Sequence, residues 1–306
     1  MNILSAFDGI SCGQIALERA GIPVENYYAS EIDKYAIKVT TANYPKTIQL
    51  GDVTKWREWN LPQIDLAIAG SPCQGFSFSG LGLNFDDPRS KLFFEFADIL
   101  DVYKPKWFLL ENVRMKKEHA KVISDRLGVD YVEINSSLVS AQSRKRWYWT
   151  NIPVSGLPED KGFFLRDIVE SRVVDREKSY CVDANYFKGG NLKSYFGKSR
   201  RQLVKECIQV GEADIKAQDI IKRVYSPDGK SPTLTTMGGG HREPKITEDG
   251  ETWRKLTPLE CERLQTVPEF YTSCVSDTRR YHALGNGWTV DVIAWILSFI
   301  PKQEAE

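Results

Sequence analysis

Short apolar runs alternate with helix-period stretches through the first half of the chain. NILSAF (2–7), YYAS (27–30), DLAIAG (65–70), KWFLLEN (106–112) and YVEINSS (131–137) have strand length and strand composition. Between them, DKYAIKVTTANY (33–44), SKLFFEFADILDVY (90–103) and MKKEHAKVISDRLG (115–128) repeat apolar residues at helical spacing, as does GQIALERAG (13–21), which stops at a glycine. Strands that are apolar almost throughout are buried on both faces. Their alternation with helices predicts an α/β fold with a parallel, doubly wound sheet.

The pattern changes near residue 153. From 154 to 250 the chain is rich in Gly, Ser, Asp and Lys, with short β-like pieces such as SPTLTTM (231–237). Helical spacing returns in TPLECERLQ (257–265), where Thr257, Pro258 and Glu260 form a helix start, and in the apolar WTVDVIAWILSFI (288–300). Residues 1–153 with 251–306 therefore read as one domain, and 154–250 as a smaller, irregular one. Within the latter, KGGNLKSYFGKSRRQLVK (188–205) carries six basic residues and no acidic one. Such a stretch is either a solvated loop or a surface for phosphates.

Composition narrows the chemistry. The 306 residues are 42% hydrophobic and 27% charged with zero net charge, so no global field points to a polyanion and any nucleic-acid face must be local. No apolar run approaches the ~20 residues of a membrane span, and no signal peptide is evident at the N-terminus, so a cytoplasmic protein is expected. Cysteines 12, 73, 181, 207, 261 and 274 are scattered without a CxxC pair, and there are three histidines. That spacing argues against a zinc site and a disulfide scaffold; no metal is expected.

In an open parallel sheet, ligands bind beyond the carboxyl ends of the strands. FDGISCG (7–13) follows the first strand as a glycine-containing turn into a helix. SEID (30–33) follows the second, GD (51–52) a weaker third, GSPCQGFS (70–77) the fourth, and ENV (111–113) ends the next. An acid at a strand end can cap a helix or accept from a ribose hydroxyl; several in succession describe a nucleoside cleft. Cys73 on its proline-stiffened turn is either a small buried residue or a nucleophile. A thiol nucleophile needs help to ionise, and a carboxyl such as Glu111 can supply a proton, a pairing suited to attack on a conjugated ring. In SAQSRKRW (140–147), Arg144 and Arg146 lie two apart on a strand and share a face, where they could hold a phosphate or base.

These stretches, in this order, resemble the cytosine-5 DNA methyltransferase family. The turn FDGISCG, the Pro-Cys-Gln loop, Glu-Asn-Val, QSRKR (142–146), RKLTPLECERLQTVP (254–268) and GNGWTV (285–290) are similar to six successive family motifs. The resemblance covers 1–153 and 251–300. It implies a Rossmann-like S-adenosylmethionine-dependent methyltransferase fold with a small target-recognition domain, methylating carbon 5 of a cytosine flipped out of duplex DNA and releasing S-adenosylhomocysteine. By position it implies catalytic roles for Cys73, Glu111, Arg144 and Arg146. It implies cofactor contacts from Phe7, Gly9, Gly13, Glu31, Ile32, Asp52, Val53, Pro72, Leu92 and Asn286. DNA contacts would come from Gln74, Ser77, Gln142, Lys198, Arg200, Arg201, Thr233, Gly238 and Gly239. RVYSPDGKSPTLTTMGGG (223–240) resembles the family's target-recognition stretch. A bacterial or phage source, a monomer and a cognate restriction endonuclease as a partner are in keeping with it.

The last motif departs from its usual form, with Gly287 and Trp288 where a small residue and valine are common. Two rival readings share the fold. A transfer-RNA cytosine methyltransferase would carry a Cys-Phe-Thr motif, which is absent from the sequence. An inactive DNA-binding homologue would be expected to lose Cys73 or Glu111, and both are present.

Overall fold

The computed structural model describes residues 1–71, 88–170, 177–188, 195, 197–198, 202–205, 209–212, 223–225, 245–246 and 253–301. The apolar runs form strands β1 (Asn2–Ala6), β2 (Asn26–Ser30), β3 (Ile48–Gln49), β4 (Leu66–Gly70), β5 (Trp107–Val113), β6 (Tyr131–Asn135) and β7 (Lys145–Thr150). Their order in one sheet is β3-β2-β1-β4-β5-β7-β6. The first five run parallel, and β7 is antiparallel to both of its neighbours. The chain moves outward on one side through β2 and β3, then returns to start again at β4. The switch point therefore lies between β1 and β4, where a ligand crevice opens in such sheets.

Helices α1 (Cys12–Ala20), α2 (Lys34–Asn43), α3 (Pro88–Tyr103) and α4 (Lys117–Leu127) connect these strands. Consecutive strand residues go to opposite cores, which is why the strands read as continuous apolar runs. Ile3, Leu66, Ile68 and Leu109 pack with α1 and α2, whereas Leu4, Ala67, Ala69 and Leu110 pack with Phe93, Phe96 and Ile123 of α3 and α4. Burying one such Leu or Ile side chain is worth about 1.5–3 kcal/mol, so each strand is fixed from both faces.

Three later helices close the first core. In α6 (Pro258–Leu264) the Thr257 side chain accepts from the Glu260 amide, and the Glu260 carboxylate accepts from the Thr257 amide. This reciprocal cap is the helix start read from the sequence. A short α5 (Leu165–Ile168) precedes it in the chain, and α7 (Asp277–Asn286) and α8 (Val290–Leu297) follow. Val290, Val292, Ile293, Ile296 and Leu297 join the first core, and Arg19 of α1 pairs with Asp291 of α8 at 2.6 Å. The sequence pattern missed α7, because DTRRYHALGN shows few apolar positions.

The middle region is not wholly detached. Val169, Val182 and Tyr186 enter the same core as β1 and α8. Beyond them are small pairings: β8 (Leu203–Lys205) with β12 (Trp253–Lys255), and β9 (Gln209–Glu212) with β10 (Arg223–Tyr225) and β11 (Lys245–Ile246). β12, just beyond residue 250, thus pairs back with β8 in the middle region. The expected strand at 231–237 lies outside the described residues.

Candidate active site

A cleft of about 370 Å³ opens at the carboxyl ends of β1, β2, β4 and β5. Its wall begins at the turn after β1, where Phe7, Gly9 and Ser11 all take left-handed backbone angles (φ 57°, 60° and 55°). Two of these are not glycine, so the turn needs an anchor. Asp8 supplies it from beneath: its carboxyl accepts from the Tyr27 hydroxyl at 2.8 Å and from the Ser11 hydroxyl, and Thr40 donates to Ser11 at 3.2 Å. Burial pushes the Asp8 carboxyl up to about 6, with the Ser11 and Tyr27 hydrogen bonds pulling the other way and the Glu31 charge adding to the rise. No sequence signal singled out Asp8 within FDGISCG.

Glu31 sits at the end of β2 and accepts three backbone amides: Gly9 at 2.8 Å on one oxygen, Ile32 at 2.7 Å and Asp33 at 2.8 Å on the other. A carboxylate offers about four acceptor positions, so room for one further hydroxyl remains. Ile32, 75% exposed, forms an apolar lip beside it. Asp52 caps the 3₁₀ turn Val53–Glu58 through the Thr54 amide at 2.9 Å, while Val53 lines the cleft beside it. Leu92 and Asn286 also line the cleft, as does His282, which carries no signal in the sequence. Anionic and hydroxyl-binding carboxylates beside an apolar lip suit an adenosine, so these residues fit S-adenosylmethionine.

Gly13 has a different job from the expected cofactor contact. It is buried in the first turn of α1, and a Cβ there would lie 2.4 Å from Ile68 Cδ1 and 2.7 Å from the Tyr27 hydroxyl. The glycine lets α1 lie close against the sheet and does not line the cleft. Trp288 also has a local explanation. Its ring packs beneath Gly70, where an added Cβ would approach Nε1 to 2.7 Å, so a small residue at the end of β4 and a large one after α7 fit each other. Cys12, next to this contact, has its thiol pushed up to about 12 by burial and is a packing residue.

The other end of the cleft carries Glu111, Asn112, Val113, Arg144 and Arg146. Asn112 donates to the Ser71 hydroxyl at 2.9 Å, tying the end of β5 to the residue from which the Pro-Cys-Gln loop departs. Glu111 is buried and pairs with Arg146, Nε to Oε1, at 2.9 Å. The antiparallel β7 makes this possible, since its register sets Arg146 opposite Val113 and Tyr148 opposite Glu111.

Two further expectations are corrected here. Arg144 faces the same side as Arg146 and lines the cleft, but its guanidinium donates to the carbonyls of Val182 at 3.1 Å, Gly285 at 3.3 Å and Gly287 at 3.0 Å. It is a strut joining β7 to the last motif, so a catalytic role for it does not follow. Gln142, expected at DNA, is fully buried; it donates to Leu264 and Gln265 and accepts from the Val182 amide at 2.9 Å. Lys198 is exposed. Pro72, Cys73, Gln74, Ser77, Arg200, Arg201, Thr233, Gly238 and Gly239 lie outside the described residues. Among the described residues no His/Cys/Asp/Glu cluster could hold a metal ion, and no helix is long and apolar enough to cross a membrane.

The family model for C-5 cytosine-specific DNA methylases matches residues 1–302. The chain belongs to this family. Among curated relatives, the orphan methyltransferase M.SPBetaI of Bacillus phage SPbeta is 29% identical, with 96% of each chain covered. The type II methyltransferase M.NlaX of Neisseria lactamica is 31% identical over 95% of this chain and 93% of its own. Of solved structures, the Entamoeba histolytica methyltransferase EhMeth matches with a TM-score of 0.69 at 18% identity, covering 98% of this chain and 97% of that one; at this identity it supports the fold. The family is that of DNA cytosine-5 methyltransferases, and the mostly parallel sheet described above is its Rossmann-like methyltransferase fold.

Proposed function

We propose that the protein transfers a methyl group from S-adenosylmethionine to carbon 5 of a cytosine within a specific duplex DNA sequence. The observation that carries this reading is a single cleft with two differently equipped ends. Glu31, Ile32, Asp52 and Val53 form a nucleoside end, and the buried Glu111–Arg146 pair forms the other. S-adenosylmethionine supplies an electrophilic methyl group. Glu31 would take a ribose hydroxyl on its remaining acceptor position, Ile32 and Phe7 would cover the adenine, and Asp52 would sit at its edge.

The chain's own residues account for the activation of the base. A cytosine cannot be reached inside the stack, so it is swung out at a cost of a few kcal/mol. The Cys73 thiolate forms a bond to carbon 6 while Glu111 hydrogen-bonds or protonates ring nitrogen 3. The electron pair displaced from the 5,6 double bond makes carbon 5 nucleophilic. After methylation, loss of the carbon-5 proton returns electrons to the ring and expels Cys73. Arg146 keeps Glu111 directed at the base, and Asn112 holds Ser71 at the root of the loop that bears Cys73. Lys198 and the neighbouring basic stretch would meet backbone phosphates, with residues 154–250 reading the target sequence.

Cys73→Ala is expected to abolish methyl transfer while leaving S-adenosylmethionine binding, measured by calorimetry, near that of the parent. Duplex DNA bearing 5-fluorocytosine should give a covalent complex that survives denaturation, because fluorine cannot leave as the proton does. Formation of that complex by the Cys73→Ala protein would overturn the assignment of the nucleophile.

A further inference from the structure

Two guanidiniums, Arg144 buried and Arg146 partly buried, meet one carboxylate at the base-binding end of the cleft. Arg146 pairs with Glu111, whereas no carboxylate among the described residues pairs with Arg144, whose oxygen partners are all carbonyls. Buried positive charge without a counter-ion is costly. The remaining group between the arginines is Cys181, a free thiol whose Sγ accepts from Arg144 Nη1 at 3.3 Å and Arg146 Nη2 at 3.9 Å and also lies 3.4 Å from the Val182 carbonyl, to which the neutral thiol donates. Arg146 is thus held at both ends of its guanidinium, by sulfur at Nη2 and by Glu111 at Nε. We propose that Cys181 is a positioning residue for methyl transfer: its sulfur, as an anion between the two guanidiniums, fixes Arg146 in the orientation that presents Nε to Glu111. This rests on the reading of Glu111 as the group that meets the flipped base.

The two guanidiniums favour an anion at this sulfur, against the single opposing contact from the Val182 carbonyl. Burial alone would raise the Cys181 thiol, but the charges and hydrogen bonds of Arg144 and Arg146 outweigh it and bring it below the ordinary thiol range. Among the described residues, the other titratable groups facing these arginines are Glu111, the Cys12 thiol and the Tyr148 phenol; burial holds the last two well above their ordinary ranges, so they stay neutral. With Cys181 ionised, Arg144 gains the counter-charge that its carbonyl partners do not supply.

The test separates charge from mere packing. Ultraviolet thiolate absorbance of the Cys73→Ala protein is titrated with pH and compared with that of Cys73→Ala/Cys181→Ser. The difference should be one thiolate appearing below the ~8.5 of an ordinary thiol; its absence overturns the proposal. With Cys73 intact, Cys181→Ser and Cys181→Ala should each lower kcat on the order of ten-fold through a misplaced Arg146, with unchanged S-adenosylmethionine affinity. Serine keeps an acceptor but not the charge, so a parental rate and pH profile in Cys181→Ser overturns the role of the anion. If the thiolate step is present but Glu111→Gln is fully active, the underlying reading of Glu111 is what fails.

Discussion

Replacing Arg146 by alanine probes the catalytic corner most sharply. Arg146 and Glu111 meet at 2.9 Å with side chains only 15% and 11% exposed, so neither is well solvated once the other is gone. Breaking such a buried pair from one side costs about 3–5 kcal/mol. At ~1.4 kcal/mol per factor of ten, carrying that loss into the transition state corresponds to a fall in rate of about 10² to several times 10³. The assay is single-turnover methyl transfer at saturating DNA and cofactor, so that binding defects are kept out of the measured step. Arg146→Lys should lie between, because a point charge can reach Glu111 but not also the Lys145 carbonyl that Nη1 holds at 2.9 Å. Arg144→Ala serves as the contrast. Its partners are the backbone carbonyls of Val182, Gly285 and Gly287 and the Cys181 sulfur, so it should lower the melting temperature more than Arg146→Ala does. A single-turnover rate for Arg146→Ala within a few-fold of the parent would refute the reasoning.

Other outcomes follow from particular contacts. Glu31→Gln leaves one acceptor oxygen for three backbone amides, so S-adenosylmethionine affinity should fall about 10–100-fold by calorimetry, from ~1–3 kcal/mol of lost hydrogen bonding; unchanged affinity would exclude the role given to this carboxylate. Asp8, with its carboxyl pushed up to about 6, is protonated more readily folded than unfolded, so its contribution to stability is fullest below pH ~4 and is lost as pH rises through about 6. Relative to Asp8→Asn, the parent should therefore lose about 3 kcal/mol between pH 4 and 8, measured by urea unfolding; parallel pH curves for the two proteins would be the contrary result. Gly70→Ala drives a Cβ into the Trp288 indole and should cost about 1–3 kcal/mol. Trp288→Phe in that background should recover part of it, whereas strictly additive effects would show that the two do not touch.

Much of this architecture is legible in the residue pattern, and the exceptions are physical. β1, β2, β4 and β5 and α1 to α4 stand out because strands buried on both faces must be apolar at consecutive positions, as Leu66 to Ala69 are; β3, two exposed residues, gives only a weak signal. The acids at the strand ends mark the cleft, and Glu31, Asp52 and Glu111 all reach it. What the pattern does not reveal is which polar side chains turn inward. Gln142 and Arg144 look like exposed binding groups in QSRKR, yet their hydrogen-bonding capacity is consumed by segments more than 30 residues away, Val182, Leu264 and Gly287. Gly13 belongs to a glycine-marked motif, and only the packed position of Ile68 and Tyr27 shows that closeness to the sheet is what requires it. Asp8 escaped notice for the same reason: its importance lies in Tyr27 and Ser11, partners that a linear reading does not place beside it.

The central claim is the identity of the acceptor, and methyl transfer tests it directly. Methyl-labelled S-adenosylmethionine is offered with duplex DNA and, separately, with transfer RNA, and the modified base is identified and mapped by sequencing. The account predicts label on carbon 5 of cytosine in DNA, at one short recurring sequence, and none in RNA. Label confined to transfer RNA, or no transfer to either despite bound cofactor, would contradict it.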